Sequence, residues 1–335
     1  MNTALRPRAQ PTALAAADAG PRLLADIGGT NARFAWQAGP GAAPEAVQVL
    51  ACAEHATLLD AARRYLAETG LATPRLGAIG IANPVTGDAV QMTNHHWSFS
   101  IEALRTALGL QRLVVMNDFE ALARSLPLLG ADEKVQIAGG RAADGQGAPI
   151  ALIGPGTGLG VGGLVPTRGG WVPLAGEGGH VTLAPVTPRE AAVVAALQQR
   201  FGHASAERAV SGPGLVWLVE ALCAVDGVPA PPDLDAARVT QRGQDGSCAR
   251  CTEALQLFFA FLGSTAGNLA LTLGARGGVY LGGGIVPRLQ GLLKASDFHA
   301  RFVGKGRFRG YLAAMPVVLI TSTQHPALRG AAAAL

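Results

Sequence analysis

The chain has 335 residues, 49% of them hydrophobic and 15% charged, enough to bury the cores of two domains with a cleft between them. Its formal net charge of +4 comes from scattered arginines and three lysines, and aromatic residues at 5% are too sparse for base stacking, which excludes nucleic acid as a partner. Four cysteines (Cys52, Cys223, Cys248, Cys251) in so long a chain make no disulfide framework and point to a reducing, cytoplasmic setting.

In chain order, residues 1–21 are rich in Ala and Pro. Arg6 and Arg8 precede an apolar stretch there, but Pro7, Pro11 and Asp18 interrupt it, so the segment reads as a disordered extension, not a leader. Strands are expected over 22–25, 33–37 and 46–51, a helix over 57–68, and a strand over 75–82 that ends at Asn83-Pro84. A helix over 101–108, a buried strand over 113–116 and a helix over 119–125 follow, an alternation that implies an α/β architecture. Gly139 to Gly147 reads as exposed loop. The strand over 150–153 then enters Gly154-Pro155-Gly156-Thr157-Gly158-Leu159-Gly160, and a strand over 161–165 leaves it. Residues 254–275 carry no charge and imitate a membrane span, but Gln256, Ser264, Thr265, Asn268 and Thr272 lie inside, so a buried core helix and no membrane is the expectation. A strand over 278–281 delivers Gly282, Gly283 and Gly284, and helical spacing returns over 285–293.

The most informative stretch is the first turn. An apolar run delivers Asp26, Gly28, Gly29 and Thr30 into a tight reversal. Glycines let backbone N–H groups approach an anion, because no Cβ stands in the way. Asp26 would repel phosphate unless a divalent metal lay between them, so the turn reads as a place for a metal-bound nucleotide. The second glycine turn repeats the plan and suggests a nucleotide gripped between two halves. Gly158 to Gly163 also matches G-x-G-x-x-G, but β-type residues and Pro166 follow where a dinucleotide site needs a helix, and no P-loop occurs.

Asn117-Asp118 ends a buried strand, where open α/β sheets bind ligands. Asp118 is either a general base against a substrate hydroxyl or the N-cap of the next helix. Glu177 and His180 share a glycine-rich turn and offer donors and acceptors for a polyhydroxyl ligand; a metal centre would need further ligands that are not at usual spacing. Glu207, in Ser205-Ala206-Glu207-Arg208, reads on its own as a solvated acid at a helix start. Cys248-Ala249-Arg250-Cys251 has the spacing of half a metal site, but no second pair exists, and it reads as incidental.

Seven motifs in order resemble the bacterial glucokinase family in its proteobacterial, non-ROK branch: Asp26 to Arg33, Met92-Thr93-Asn94-His95, Asn117-Asp118-Phe119, Gly156 to Gly160, Gly176 to Val181, Ser205 to Arg208 with Ser211-Gly212-Pro213-Gly214, and Gly282 to Arg288. The resemblance runs from about Leu23 to the end. It implies an actin-like ATPase (ribonuclease H-like) fold of two α/β domains with a cleft between them: a small domain over 22–129 plus 319–335 and a large one over 130–318. It implies transfer of the ATP γ-phosphate to the 6-hydroxyl of D-glucose, with Mg²⁺. Asp118 would be the base, and Asn94, Asn117, Asp118, Glu177, His180 and Glu207 would hold the sugar. Ala25, Asp26, Ile27, Gly28, Gly29, Thr30 and Asn31 would lie at the phosphates, Asp26 reaching the metal through water. Gly156, Thr157, Gly158, Gly282, Gly283 and Gly284 would lie further along the nucleotide. A homodimer is also implied. The ROK branch carries a zinc-binding cysteine cluster after its Glu-x-Gly-His segment, and no cysteine lies between His180 and Cys223. The competing readings are a kinase for another hexose or an N-acetylated sugar, and a sugar-binding regulator on the same fold. The final residues, Gly330 onward, are short for a closing helix.

Overall fold

The computed structural model describes residues 20–93, 95–140 and 147–335. The expected extension therefore lies outside the described residues except for Gly20 and Pro21, as does most of the loop expected over 139–147. Two compact units emerge, one holding the chain up to Leu128 together with His325–Leu335, the other Leu129–Gln324.

In the first unit, β1 (Arg22–Ile27) runs antiparallel to β2 (Asn31–Gln37), which pairs in turn with β3 (Glu45–Ala51). Helix α1 (Leu58–Thr69) starts where the Thr57 hydroxyl accepts the Asp60 N–H at 3.1 Å, and it stops at Gly70, whose φ of 59° is left-handed. Then come β4 (Leu76–Ile81), the short hairpin β5 (Ala89–Gln91) and β6 (Ser98–Ser100), α2 (Ile101–Ala107), β7 (Arg112–Asn117) and α3 (Asp118–Ser125). The sheet order is β3-β2-β1-β4-β7, and the parallel register aligns Ile27, Ile81 and Asn117 at the carboxyl ends of their strands. Side chains on β1 alternate between faces. Leu23, Ala25 and Ile27 pack with Phe34, Tyr65 and Trp97, whereas Leu24 joins Ala78, Met116 and Ala121 on the other side.

The second unit begins with β8 (Lys134–Ala138), β9 (Ile150–Pro155), β10 (Leu159–Thr167) and β11 (Gly170–Gly176). The helices α4 (Pro188–Phe201), α5 (Gly212–Asp226), α6 (Ala236–Gln244) and α7 (Ala249–Leu273) lead to β12 (Gly278–Leu281). After it come α8 (Gln290–Ala295), α9 (Phe298–Val303), α10 (Arg309–Ala313) and β13 (Val317–Ile320). The sheet order is β11-β10-β9-β12-β13-β8. The long apolar helix α7 is a core element, with Phe258, Phe259 and Phe261 at most 1% exposed. Its Gly263 and Gly267, four apart, let α9 lie on its backbone: a Cβ at either would strike the carbonyl of Phe298 or Phe302. The helical spacing over 285–293 is realised in two pieces, a 3₁₀ turn over Val286–Leu289 and then α8.

The chain then returns to the first unit as α11 (Pro326–Ala332), which packs Leu328 and Ala331 beside Ala121 of α3. The closing helix thus starts ahead of the alanine run. The return lies at His325 and not at residue 319, because Val317–Ile320 is hydrogen-bonded between β12 and β8 in the second sheet.

Candidate functional site

The β1–β2 turn is closed by the Gly28 N–H donating to the Asn31 carbonyl at 2.9 Å, and the Cys52 N–H holds the Thr30 carbonyl at 2.9 Å. Thr30 and Asn31 are exposed and Gly28 and Gly29 partly so. A Cβ at Gly28 would meet nothing closer than an ordinary contact of 3.5 Å, so packing does not require glycine there. Beside the turn, Asp26 Oδ2 takes a charged hydrogen bond from Arg33 Nη1 at 2.9 Å. Burial pushes the Asp26 carboxyl above the ordinary carboxylate range, against the opposing pull of Arg33 and His325. Arg33 Nε is buried with no hydrogen-bond partner among the described residues. A donor left unpaired beside an open backbone turn suits an anionic oxygen. His325, which sequence reasoning did not single out, stands at the start of α11 with a φ of 51°, left-handed for a residue with a Cβ. Burial and the neighbouring Arg33 hold its imidazole below the ordinary range.

At the carboxyl end of β7 the two candidate roles separate. Asn117 is the N-cap of α3, its Oδ1 accepting the N–H groups of Phe119 at 2.9 Å and Glu120 at 3.3 Å. Asp118 is the first residue of the helix, with Oδ1 2.9 Å from the Phe119 nitrogen. The capping role weighed for Asp118 therefore falls to its neighbour. Asn117 Nδ2 also reaches the Asn83 carbonyl at 3.5 Å, and Asn83 Oδ1 accepts from the Thr93 N–H and hydroxyl at 3.0 and 2.7 Å. Asn94, the next residue, lies outside the described residues. Two glycines seat Asp118. A Cβ on Gly80 would come 3.1 Å from Ala121 Cβ and 3.6 Å from Asp118 Cα, and one on Gly330 would overlap the Ala121 carbonyl.

In the second unit the two glycine turns touch through their backbones. A Cβ on Gly154 would lie 2.6 Å from the Gly282 carbonyl carbon, and Gly283, with φ 76°, lies against the Pro155 carbonyl. These glycines serve packing. Gly156 and Gly284 do not: a Cβ on either would meet nothing within 4 Å. Their missing side chains leave open space at the surface of the joined turns, next to exposed Thr157.

Glu177 precedes and His180 ends a 3₁₀ turn, Gly178–His180, that lies flat on β10 because a Cβ on Gly178 or Gly179 would collide with Val161 or Leu159. Both side chains stay more than half exposed, with His180 Nε2 4.0 Å from Glu177 Oε2. The Ala206 N–H donates to the Val181 carbonyl and the Leu183 N–H to the Ala204 carbonyl, each at 2.9 Å, which brings Glu207 to the same place. Glu207 sits in a 3₁₀ turn, Ala206–Arg208, and is partly buried. Its Oε2 accepts the Leu159 N–H at 2.8 Å, and a Cβ on Gly158 would come within 2.5 Å of that oxygen. The helix proper starts only at Gly212, where Ser211 caps α5 and donates to the Glu207 carbonyl at 2.8 Å.

Beyond Gly284 the second unit opens into a cavity of about 790 Å³ lined by Leu215, Thr240, Gln241, Ile285 and Arg288 among others. Its apolar patches, edged by Thr240, Gln241, Gln244, Asp245 and Arg288, suit a flat heterocycle with polar edges. Sequence reasoning missed Thr240 and Gln241, since α6 carries no motif.

The family profile described as Glucokinase matches residues 23–335. The chain is 58% identical over 319 residues to a glucokinase of Aromatoleum aromaticum, covering 95% of each. It is 56% identical to a glucokinase of Chromobacterium violaceum, covering 95% of this chain and 90% of the other. Among solved structures, a glucokinase from an Antarctic psychrotroph superposes with a TM-score of 0.84 at 39% identity, over 94% of this chain and 98% of that one. A Balamuthia mandrillaris glucokinase crystallised with glucose shares the fold, with a TM-score of 0.76 at 23% identity over 93% and 92% of the two chains. Its motifs, its α/β fold with two mixed sheets and these matches agree, and the chain belongs to the glucokinase family.

Proposed function

We propose that the chain transfers the γ-phosphate of ATP to the 6-hydroxyl of D-glucose, giving glucose 6-phosphate and ADP at the first step of glycolysis. The observation that carries this reading is the division of labour after β7. Asn117 caps α3, so helix capping does not explain the carboxylate that stands at its first residue. Asp118 accepts the proton of the attacking hydroxyl as the new bond forms. Asn117, Glu177, His180 and Glu207 pair with sugar hydroxyls, and Glu207 also keeps the Gly156–Gly158 turn in place through Leu159. A sugar lacking a matching hydroxyl leaves such polar groups unpaired, which is the basis of discrimination.

The open backbone at Gly28, Gly156 and Gly284 and the unpaired Arg33 Nε support a polyphosphate ligand. The cavity beside Gly284 supports the nucleoside end. Mg²⁺, when bound, neutralises phosphate charge during transfer. Among the described residues no cluster of three or more metal-ligating side chains exists, and Mg²⁺ habitually binds through one or two carboxylates, water and substrate phosphates. The partly buried, Arg33-paired Asp26 fits that habit and would hold the ion through water. The free thiols of all four cysteines support a reducing, cytoplasmic setting, and the family resemblance supports a homodimer. A coupled assay with ATP over glucose, mannose, fructose and N-acetylglucosamine tests the reading. It predicts the highest kcat/KM with glucose, and a preference for an N-acetylated sugar would overturn it.

A further inference from the structure

The Cys248-Ala249-Arg250-Cys251 segment, incidental as a metal site, has a different character in the fold. Cys248 is the N-cap of the 25-residue helix α7, and its Sγ accepts the Cys251 N–H at 3.3 Å. Cys251 is the third residue of the helix and is buried, whereas Cys248 is partly exposed. Residues three apart at the start of a helix have their Cα atoms about 5 Å apart, within a disulfide's span. The 3.3 Å from Cys248 Sγ to the Cys251 nitrogen sets the two side chains side by side. A helix N-terminus favours a thiolate, through its unpaired N–H groups and dipole.

The charges around the pair act in the same direction. Partial burial alone would push the Cys248 thiol up. The Cys251 thiol, the backbone N–H groups of Cys251 and Arg250, and the charge of Arg242 outweigh it and hold Cys248 below the ordinary thiol range. Burial pushes Cys251 up to about 12. Arg250 is occupied by Asp226 at 2.5 Å and Glu253 at 3.6 Å. Cys223, at the end of α5, is the other thiol that interacts with the pair, and it is buried.

We propose that Cys248 and Cys251 form a redox-active dithiol that closes reversibly to an intrachain disulfide, with Cys248 attacking and Cys251 resolving. The Cys248 thiolate attacks one sulfur of a small-molecule disulfide such as oxidised glutathione, forming a mixed disulfide and releasing one thiolate. Cys251 then loses its proton to solvent and attacks Cys248 Sγ, closing the protein disulfide and expelling the second thiolate. The two protein thiols are oxidised and one small disulfide is reduced to two thiols. In a reducing compartment such a bridge is transient and reports redox state, and does not staple the fold. The inference does not depend on the sugar or nucleotide assignments.

Arg250 makes the test direct, because trypsin cuts between the two cysteines and leaves them on the separate peptides 243–250 and 251–276. The full chain is equilibrated with mixtures of reduced and oxidised glutathione, alkylated, and digested without reduction. The expected result is a linked pair of these two peptides that rises with the oxidised fraction and disappears with dithiothreitol. The Cys251→Ser variant should instead retain one glutathionyl group on Cys248. Cys223→Ser should leave the linked pair unchanged. No linked pair at any ratio, a link to the Cys223 peptide, or glutathionylation of wild-type Cys248 that never resolves would each overturn the proposal. The wild-type peptide map decides even where a variant fails to fold.

Discussion

Gly330→Ala sets helix propensity against packing. Gly330 lies inside α11, where alanine is favoured over glycine by about 1 kcal/mol. Yet its Cβ would overlap the Ala121 carbonyl oxygen, with the Ala121 carbonyl carbon at 2.8 Å and the Ser125 nitrogen at 2.9 Å, all backbone atoms of α3 that cannot rotate away. Restoring ordinary contact requires the two helices to part by about 1.5–2 Å, and overpacking this severe costs about 2–3 kcal/mol, the upper part of the usual range. The net expectation is a loss of about 1–2 kcal/mol, read as a fall of several degrees in Tm. Because α3 begins at Asp118, kcat for glucose should fall as well. Gly310→Ala is the control: a Cβ at that position in α10 meets nothing within 4 Å, so the variant should melt at or above the wild-type temperature. Thermal unfolding by circular dichroism, paired with the coupled kinase assay, checks both. A Gly330→Ala protein as stable as the wild type would show that the α3–α11 contact does not decide the position of Asp118.

Asp118→Asn should lower kcat by about 10²–10⁴ while leaving glucose binding intact, as measured by calorimetry; near-normal turnover would remove Asp118 from the chemistry. Glu177→Gln should raise KM for glucose more than KM for ATP, and the reverse pattern would reassign its turn. Gly156→Ala should fold normally, since its Cβ meets open space, yet raise KM for ATP; an unchanged KM would place the phosphates elsewhere. Asp226 takes a bidentate ion pair from Arg189 at 2.6 and 2.9 Å, and hydrogen bonding to Arg189 holds its carboxyl below the ordinary range despite the counter-effect of burial. A lowered folded value means that the pair stabilises above the unfolded carboxylate pKa of about 3.9 and stops doing so as pH falls through the folded value. Asp226→Asn should therefore lower the urea midpoint more at pH 7 than at pH 3, and equal losses at both would refute an ionic origin.

Much of the candidate site was readable from residue types alone. Asp26 with its glycines, Asn117-Asp118 and the Glu177–His180 turn are local: their chemistry lies in neighbours along the chain, so periodicity and turn composition expose them. Glu207 was not legible beyond the family resemblance, because its partner, the Leu159 N–H, lies 48 residues away. Nor could composition divide the glycines. Gly154, Gly179 and Gly330 are required by backbones that approach from elsewhere, while Gly156 and Gly284 face open space and a Cβ on Gly28 would make only an ordinary contact.

The chain's own order of residues determined its α/β class, where its strands end, and which acids and glycines stand at those ends, since strand period and turn chemistry act over a few residues. Only the folded molecule decided that Asn117 takes the cap from Asp118, that the return to the first sheet begins at His325, and that Cys248 and Cys251 meet at the start of a helix. Those outcomes depend on hydrogen bonds and close contacts whose partners are chosen by three-dimensional packing, which no local pattern encodes.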